Sequence, residues 1–161
     1  MLQKMYPEFV DGRGAVGLLT ARLIAGYAFV IHGWPKIQAP ASWLGYETNV
    51  PGVFQSAAAI TEFVGGIFLI LGVATPIAAA GIATTMLSAI TIYHWSEGHP
   101  YIAQLGQVSS ELAASYLGIM VALVLVGPGT LSLDWMIMRG MRLDPQPSKL
   151  PISPTAAGQP A

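Results

Sequence analysis

Long apolar runs without charge alternate with short polar segments along this chain. No Asp, Glu, Lys or Arg falls in residues 63–96 or 112–133, and only Arg22 interrupts residues 14–35. Runs of this length predict membrane-spanning helices, since about 20 apolar residues cross about 30 Å of hydrocarbon. Four spans are expected, over residues 15–34, 53–73, 76–95 and 108–126. The twelve prolines bracket these spans, and Pro76 alone sits at a span's first position. Proline lacks a backbone donor and clashes within a helix, so Pro35 is expected to end the first span. Thr75-Pro76 reads as a helix start, with Thr75 as N-cap, so spans two and three form a tight hairpin.

Small residues recur on each span: Gly17 and Gly26, then Ala58, Gly65 and Gly66, then Gly81 and Ala89, then Ala114 and Gly118. Lipid supplies no hydrophobic drive between helices, and such positions let backbones pack closely. The expected fold is all-α, an integral membrane four-helix bundle over residues 1–143. Residues 144–161 hold five prolines and read as an extended tail. With few apolar side chains, that tail is expected to need a partner surface to become ordered.

Composition sharpens this picture. Seven basic and eight acidic residues are 9% of the chain, where an ordinary soluble domain carries about 25%. Mean hydropathy is +0.58. Apart from His94 near its end, the third span offers only hydroxyl side chains among its apolar ones, which excludes a soluble bundle with polar outer faces. Phe29-Val30-Ile31-His32 gives no small-residue cleavage site, so the first span is not expected to be a signal peptide. A net charge of −1 excludes electrostatic binding of nucleic acid. The absence of cysteine excludes disulfides, thiolate catalysis and iron–sulfur ligation.

Lys4, Arg13, Arg139, Arg142 and Lys149 lie on the side of the termini, against Lys36 alone in the opposite loops. This asymmetry predicts cytoplasmic termini. Tryptophans 34, 43, 95 and 135 stand at or near span ends, as interfacial anchors do.

Charges inside spans are costly and mark function or structure. Arg22 and Glu62 are expected to face each other and pin the first helix to the second. Their axial separation of about 8 Å is bridgeable by an extended arginine. His32, Lys36 and Glu111 lie at a common depth nearer the other face, where they could bind an anion or relay protons. The five residues Arg22, His32, Lys36, Glu62 and Glu111 are the candidate ligand pocket. His94, Glu97 and His99 cluster in sequence, but Gly98 and Pro100 break the helix that would align them, so no metal site is expected. No GxGxxG, P-loop, GxSxG or HExxH motif supports an enzyme reading.

The sequence resembles the DoxX family of small bacterial membrane proteins over about residues 15–135. The resemblance rests on Arg22, His32-Gly33-Trp34-Pro35-Lys36, Glu62-Phe63-Val64-Gly65-Gly66, Leu71-Gly72-Val73-Ala74-Thr75-Pro76 and Gly127-Pro128-Gly129-Thr130-Leu131-Ser132-Leu133-Asp134. It implies a multi-pass protein of the bacterial inner membrane, linked to redox systems. One relative is the DoxD-type subunit of a thiosulfate:quinone oxidoreductase. The implied role is an accessory component of a quinone-linked redox or respiratory complex, beside other membrane subunits. The alternatives are a quinone-binding oxidoreductase subunit with a polar intramembrane pocket, and a small-solute transporter. The last motif also reads physically. Gly127-Pro128-Gly129 stops the fourth helix, and Ser132 could cap a short helix over 133–142, with Asp134 at its positive end. Met136, Ile137, Met138 and Met141 would lay that helix along the interface.

Overall fold

A computed structural model describes residues 8–45 and 48–143, with side chains to Gly140. The expected tail, 144–161, lies outside the described residues. Among the described residues five α-helices form: α1 (Gly12–Gln38), α2 (Gly52–Leu71), α3 (Thr75–Ser88), α4 (Glu111–Val126) and α5 (Leu133–Leu143). A π-helical turn over Ala89–His94 prolongs α3. By length and composition, α1, α2 and the continuous Thr75–His94 helix are each long and apolar enough to cross a membrane, and α4 is a shorter apolar helix. The described residues form no strand.

Sequence-expected boundaries shift at three places. The α1 helix does not stop at Pro35 but continues through it to Gln38. Proline there removes one amide from the ladder near the helix end, where few bonds depend on it. The fourth helix begins at Glu111 rather than Val108, because the Ser110 amide donates to the Pro100 carbonyl (3.1 Å) and is held in the preceding loop. Thr75 is not the N-cap of α3. Ala74 holds that place in the left-handed region (φ 46°), and the Thr75 hydroxyl has no hydrogen-bond partner among the described residues.

The α2–α3 connection is tight because Gly72 (φ 69°) closes α2. Its amide donates to Leu69 O, and the Val73 amide reaches back to Phe68 O at 3.0 Å. This is a Schellman ending, which needs a left-handed residue that glycine adopts at least cost. The main contacts run α1 on α2, α2 on α3 and α3 on α4, while α1 and α4 touch only slightly. Phe29 and Tyr116 make that last contact, with ring centroids 5.0 Å apart.

The interior is small and partly polar, and the exterior is apolar. Ala25, Phe29, Leu69, Ala79, Ile82, Met120 and Leu123 form the core, together with buried Arg22, Gln55, Glu62, Thr75, Ser132 and Asp134. Ile24, Tyr27, Phe54, Ile77 and Leu125 face outward. A soluble domain cannot expose so many large apolar side chains. A bundle surrounded by lipid can, and its charges must then turn inward.

Candidate functional site

Close approach of α1 and α2 sets the site. A Cβ added to Gly26 would lie 2.7 Å from Gly66 O, and one added to Gly33 would lie 2.6 Å from Phe63 N. Glycine is needed at both positions because backbone meets backbone there. These contacts fix an antiparallel register in which Gly33 opposes Phe63 and Gly26 opposes Gly66 and Ile70. Glu62 therefore faces the stretch of α1 near Gly33. Arg22 lies eleven residues before Gly33, about 16 Å along the helix axis at 1.5 Å per residue.

The expected Arg22–Glu62 pair consequently does not form. Glu62, 2% exposed, is taken by Lys36, whose Nζ donates to Oε1 at 2.8 Å and Oε2 at 2.6 Å. The helical path through Pro35 makes this contact. Arg22, Gly26, Phe29, Gly33 and Lys36 follow one another at spacings of four, three, four and three, which is a single helix face. Lys36 also sits over the Trp43 ring, with Nζ 4.4 Å from its centroid, a cation–π contact. Trp43 is held in turn by its indole N–H donating to Gln55 O (2.9 Å). The buried Gln55 side chain accepts from the Leu44 amide (3.0 Å) and donates to Val50 O (2.9 Å), which fastens the 39–51 loop onto α2. Trp34 and Phe63 pack beside the pair with centroids 5.7 Å apart.

Arg22 works at the opposite end. It is fully buried, its Nη2 donates to the Leu131 carbonyl, and the Asp134 carboxylate acts on it electrostatically. Asp134 stands in the first turn of its own helix, as the sequence predicts, but its carboxylate also reaches another helix. Its two oxygens accept from the amides of Ala74 (2.7 Å) and Thr75 (2.9 Å), so it caps α3 from sixty positions away. A carboxylate at a helix N-terminus satisfies orphan donors and complements the helix dipole. The Asp134 amide donates to Gly72 O (2.8 Å), and a Cβ on Gly72 would collide with the Arg22 guanidinium. Ser132 does cap α5, accepting from the Trp135 amide at 3.2 Å. Met138 is buried, whereas Met136 and Ile137 are exposed. One knot thus joins α1, the α2–α3 turn and α5.

The remaining candidates stand apart from both clusters. His32 is exposed on α1. Glu111 is exposed in the first turn of α4, where its charge favours the helix N-terminus. Neither joins Lys36 and Glu62 in a hydrogen bond or ion pair. Sequence reasoning did not identify Trp43, Gln55 or Asp134 as site residues. The 4-3-4-3 stripe ending at Lys36 was the available signal for the ion pair. Nothing local marks Asp134 as the cap of α3. Among the described residues, no group of three or more His, Cys, Asp or Glu is placed to hold a metal ion.

The Bacillus subtilis (strain 168) protein named "Putative oxidoreductase CatD" is 26% identical over 129 residues, 79% of this chain and 91% of the relative. Inner membrane protein YqjF of Escherichia coli (strain K12) is 26% identical over 124 residues, 76% of this chain and 92% of the relative. No solved structure matches the chain. The DoxX family matches residues 17–95, which run from within α1 to just beyond the π-helical turn. Over those residues the chain is similar to the DoxX family.

Proposed function

We propose that this protein is an accessory membrane subunit of a quinone-linked redox assembly. In this reading it lies in the bacterial cytoplasmic membrane with both termini inside, the orientation favoured by five flanking basic residues against one. The observation that carries the reading is how its intramembrane charges are used. Lys36–Glu62 ties α1 to α2, and Arg22 and Asp134 tie α1, α3 and α5 together. These groups hold helices at fixed positions, as a scaffold subunit requires. CatD's name adds a redox association for a relative of similar length. The test compares quinone-reductase activities in membranes from cells with and without the gene. One activity should fall selectively and return with a plasmid copy. Activities unchanged across all electron donors would refute the reading.

A second reading places a quinone head group at Lys36. Two of its three ammonium donors have partners in the Glu62 oxygens, which leaves one for a quinone carbonyl. Its side chain is 23% exposed and Trp43 offers a ring face beside it. This chain's residues would bind and orient the head group, and the quinone would supply the electron-accepting chemistry. A water-soluble quinone analogue should then raise the melting temperature of wild type and not of Lys36→Met. An equal shift in both, or none in either, would remove this site.

A further inference from the structure

Outside the helix-locking clusters, His94 and His99 are the one pair of imidazole rings brought together by the fold among the described residues. Their Nδ1 atoms lie 3.3 Å apart, and the ring centroids 5.3 Å apart. The arrangement follows from two local devices. First, the end of α3 widens into a π-helical turn over Ala89–His94, with the Trp95 amide donating to Ile90 O at 3.0 Å. Such a turn changes the direction in which the last side chain points, and π turns recur at functional sites. Second, the chain reverses at Gly98 (φ 67°), and the His99 amide donates back to the His94 carbonyl at 2.9 Å. The break at Gly98 and Pro100, which at the level of sequence argues against alignment, is what folds one imidazole onto the other. Tyr93 packs against both rings, with centroids 5.1 and 5.4 Å away. The Ser110–Pro100 hydrogen bond fastens the far side of the loop to the start of α4.

We infer that His94 and His99 chelate a divalent first-row transition cation of the zinc class through their Nδ1 atoms. Two nitrogens each about 2.0–2.1 Å from a tetrahedral Zn2+ lie about 3.3 Å apart, the observed separation. In the metal-bound form both Nδ1 atoms present lone pairs and both rings carry their proton on Nε2. Water completes the coordination, because the site has two protein ligands rather than three. Both rings are only partly buried, so the cation enters from solvent. Imidazole ligands select zinc, copper or nickel over magnesium, which prefers oxygen. The bound ion would lock the end of α3 to the loop leading into α4.

The experiment titrates the tag-free full chain in detergent with ZnCl2 by calorimetry, with MgCl2 as control. Wild type should bind one Zn2+ per chain and no Mg2+. His94→Gln and His99→Gln should each weaken Zn2+ binding at least tenfold, and His32→Gln should leave it unchanged. Gly98→Val keeps both imidazoles but strains the left-handed turn, so it should also weaken binding about tenfold. Unchanged gel-filtration profiles and a cooperative zinc-free melt certify the fold of each variant. If one histidine variant fails to fold, the other and Gly98→Val decide the matter. Absence of saturable Zn2+ binding by wild type, or equal binding by the histidine variants, overturns the site.

Discussion

Breaking the Lys36–Glu62 pair from its two sides should have unequal consequences. At 2.6–2.8 Å, two unit charges attract by about 6 kcal/mol at an effective dielectric constant near 20. Removing them from water costs several kcal/mol per ion, so the intact pair is close to neutral in net stability. The partners differ in what each leaves behind. Lys36→Met strands a carboxylate that is 2% exposed, and a stranded buried charge costs about 3–5 kcal/mol. Glu62→Gln leaves an ammonium on a side chain that is 23% exposed and still over Trp43. Water and the ring can hold it, so the loss should be about 1–2 kcal/mol. The double variant Lys36→Met/Glu62→Leu should return to within about 1 kcal/mol of wild type. SDS-titrated unfolding in mixed micelles, followed by tryptophan fluorescence, gives all three values. Additive losses, or a larger loss for Glu62→Gln than for Lys36→Met, would refute the reasoning.

Asp134→Ala should destabilise by about 2–3 kcal/mol, because it removes two charge-assisted bonds to the Ala74 and Thr75 amides together with the charge facing Arg22. Thr75→Ala should change stability by less than about 0.5 kcal/mol, since its hydroxyl has no hydrogen-bond partner among the described residues. The same SDS titration separates the two, and equal losses would restore Thr75 as the cap. Gly33→Ala should cost at least about 2 kcal/mol, since its Cβ would stand 2.6 Å from the Phe63 amide nitrogen. Gly118→Ala, with nothing within 4 Å of its Cβ, should be neutral or stabilising by up to about 1 kcal/mol. Melting temperatures in detergent would rank that pair.

Hydropathy and charge placement determined the four apolar helices, because a helix in lipid must satisfy its own backbone and exclude charge over a fixed length. That constraint is local, and it is written residue by residue. Gly26, Gly65, Gly66 and Gly81 were legible as close-approach positions, whereas Gly33 was not, and Gly17 of α1 and Gly118 of α4 meet no neighbour within 4 Å of a Cβ among the described residues. The partner of each buried charge was not legible. Depth counted from assumed span ends placed Arg22 near Glu62. The Gly26–Gly66 and Gly33–Phe63 crossings instead set a register that carries Glu62 to Lys36 and Arg22 to Leu131 and Asp134. Register between two helices depends on which small residues meet, and neither helix alone contains that information. The cap of α3 likewise comes from a residue sixty positions away, and His94 meets His99 only because a π-helical turn and a left-handed glycine redirect the chain. Local sequence settled which segments are apolar helices, while tertiary packing settled which charges meet between them.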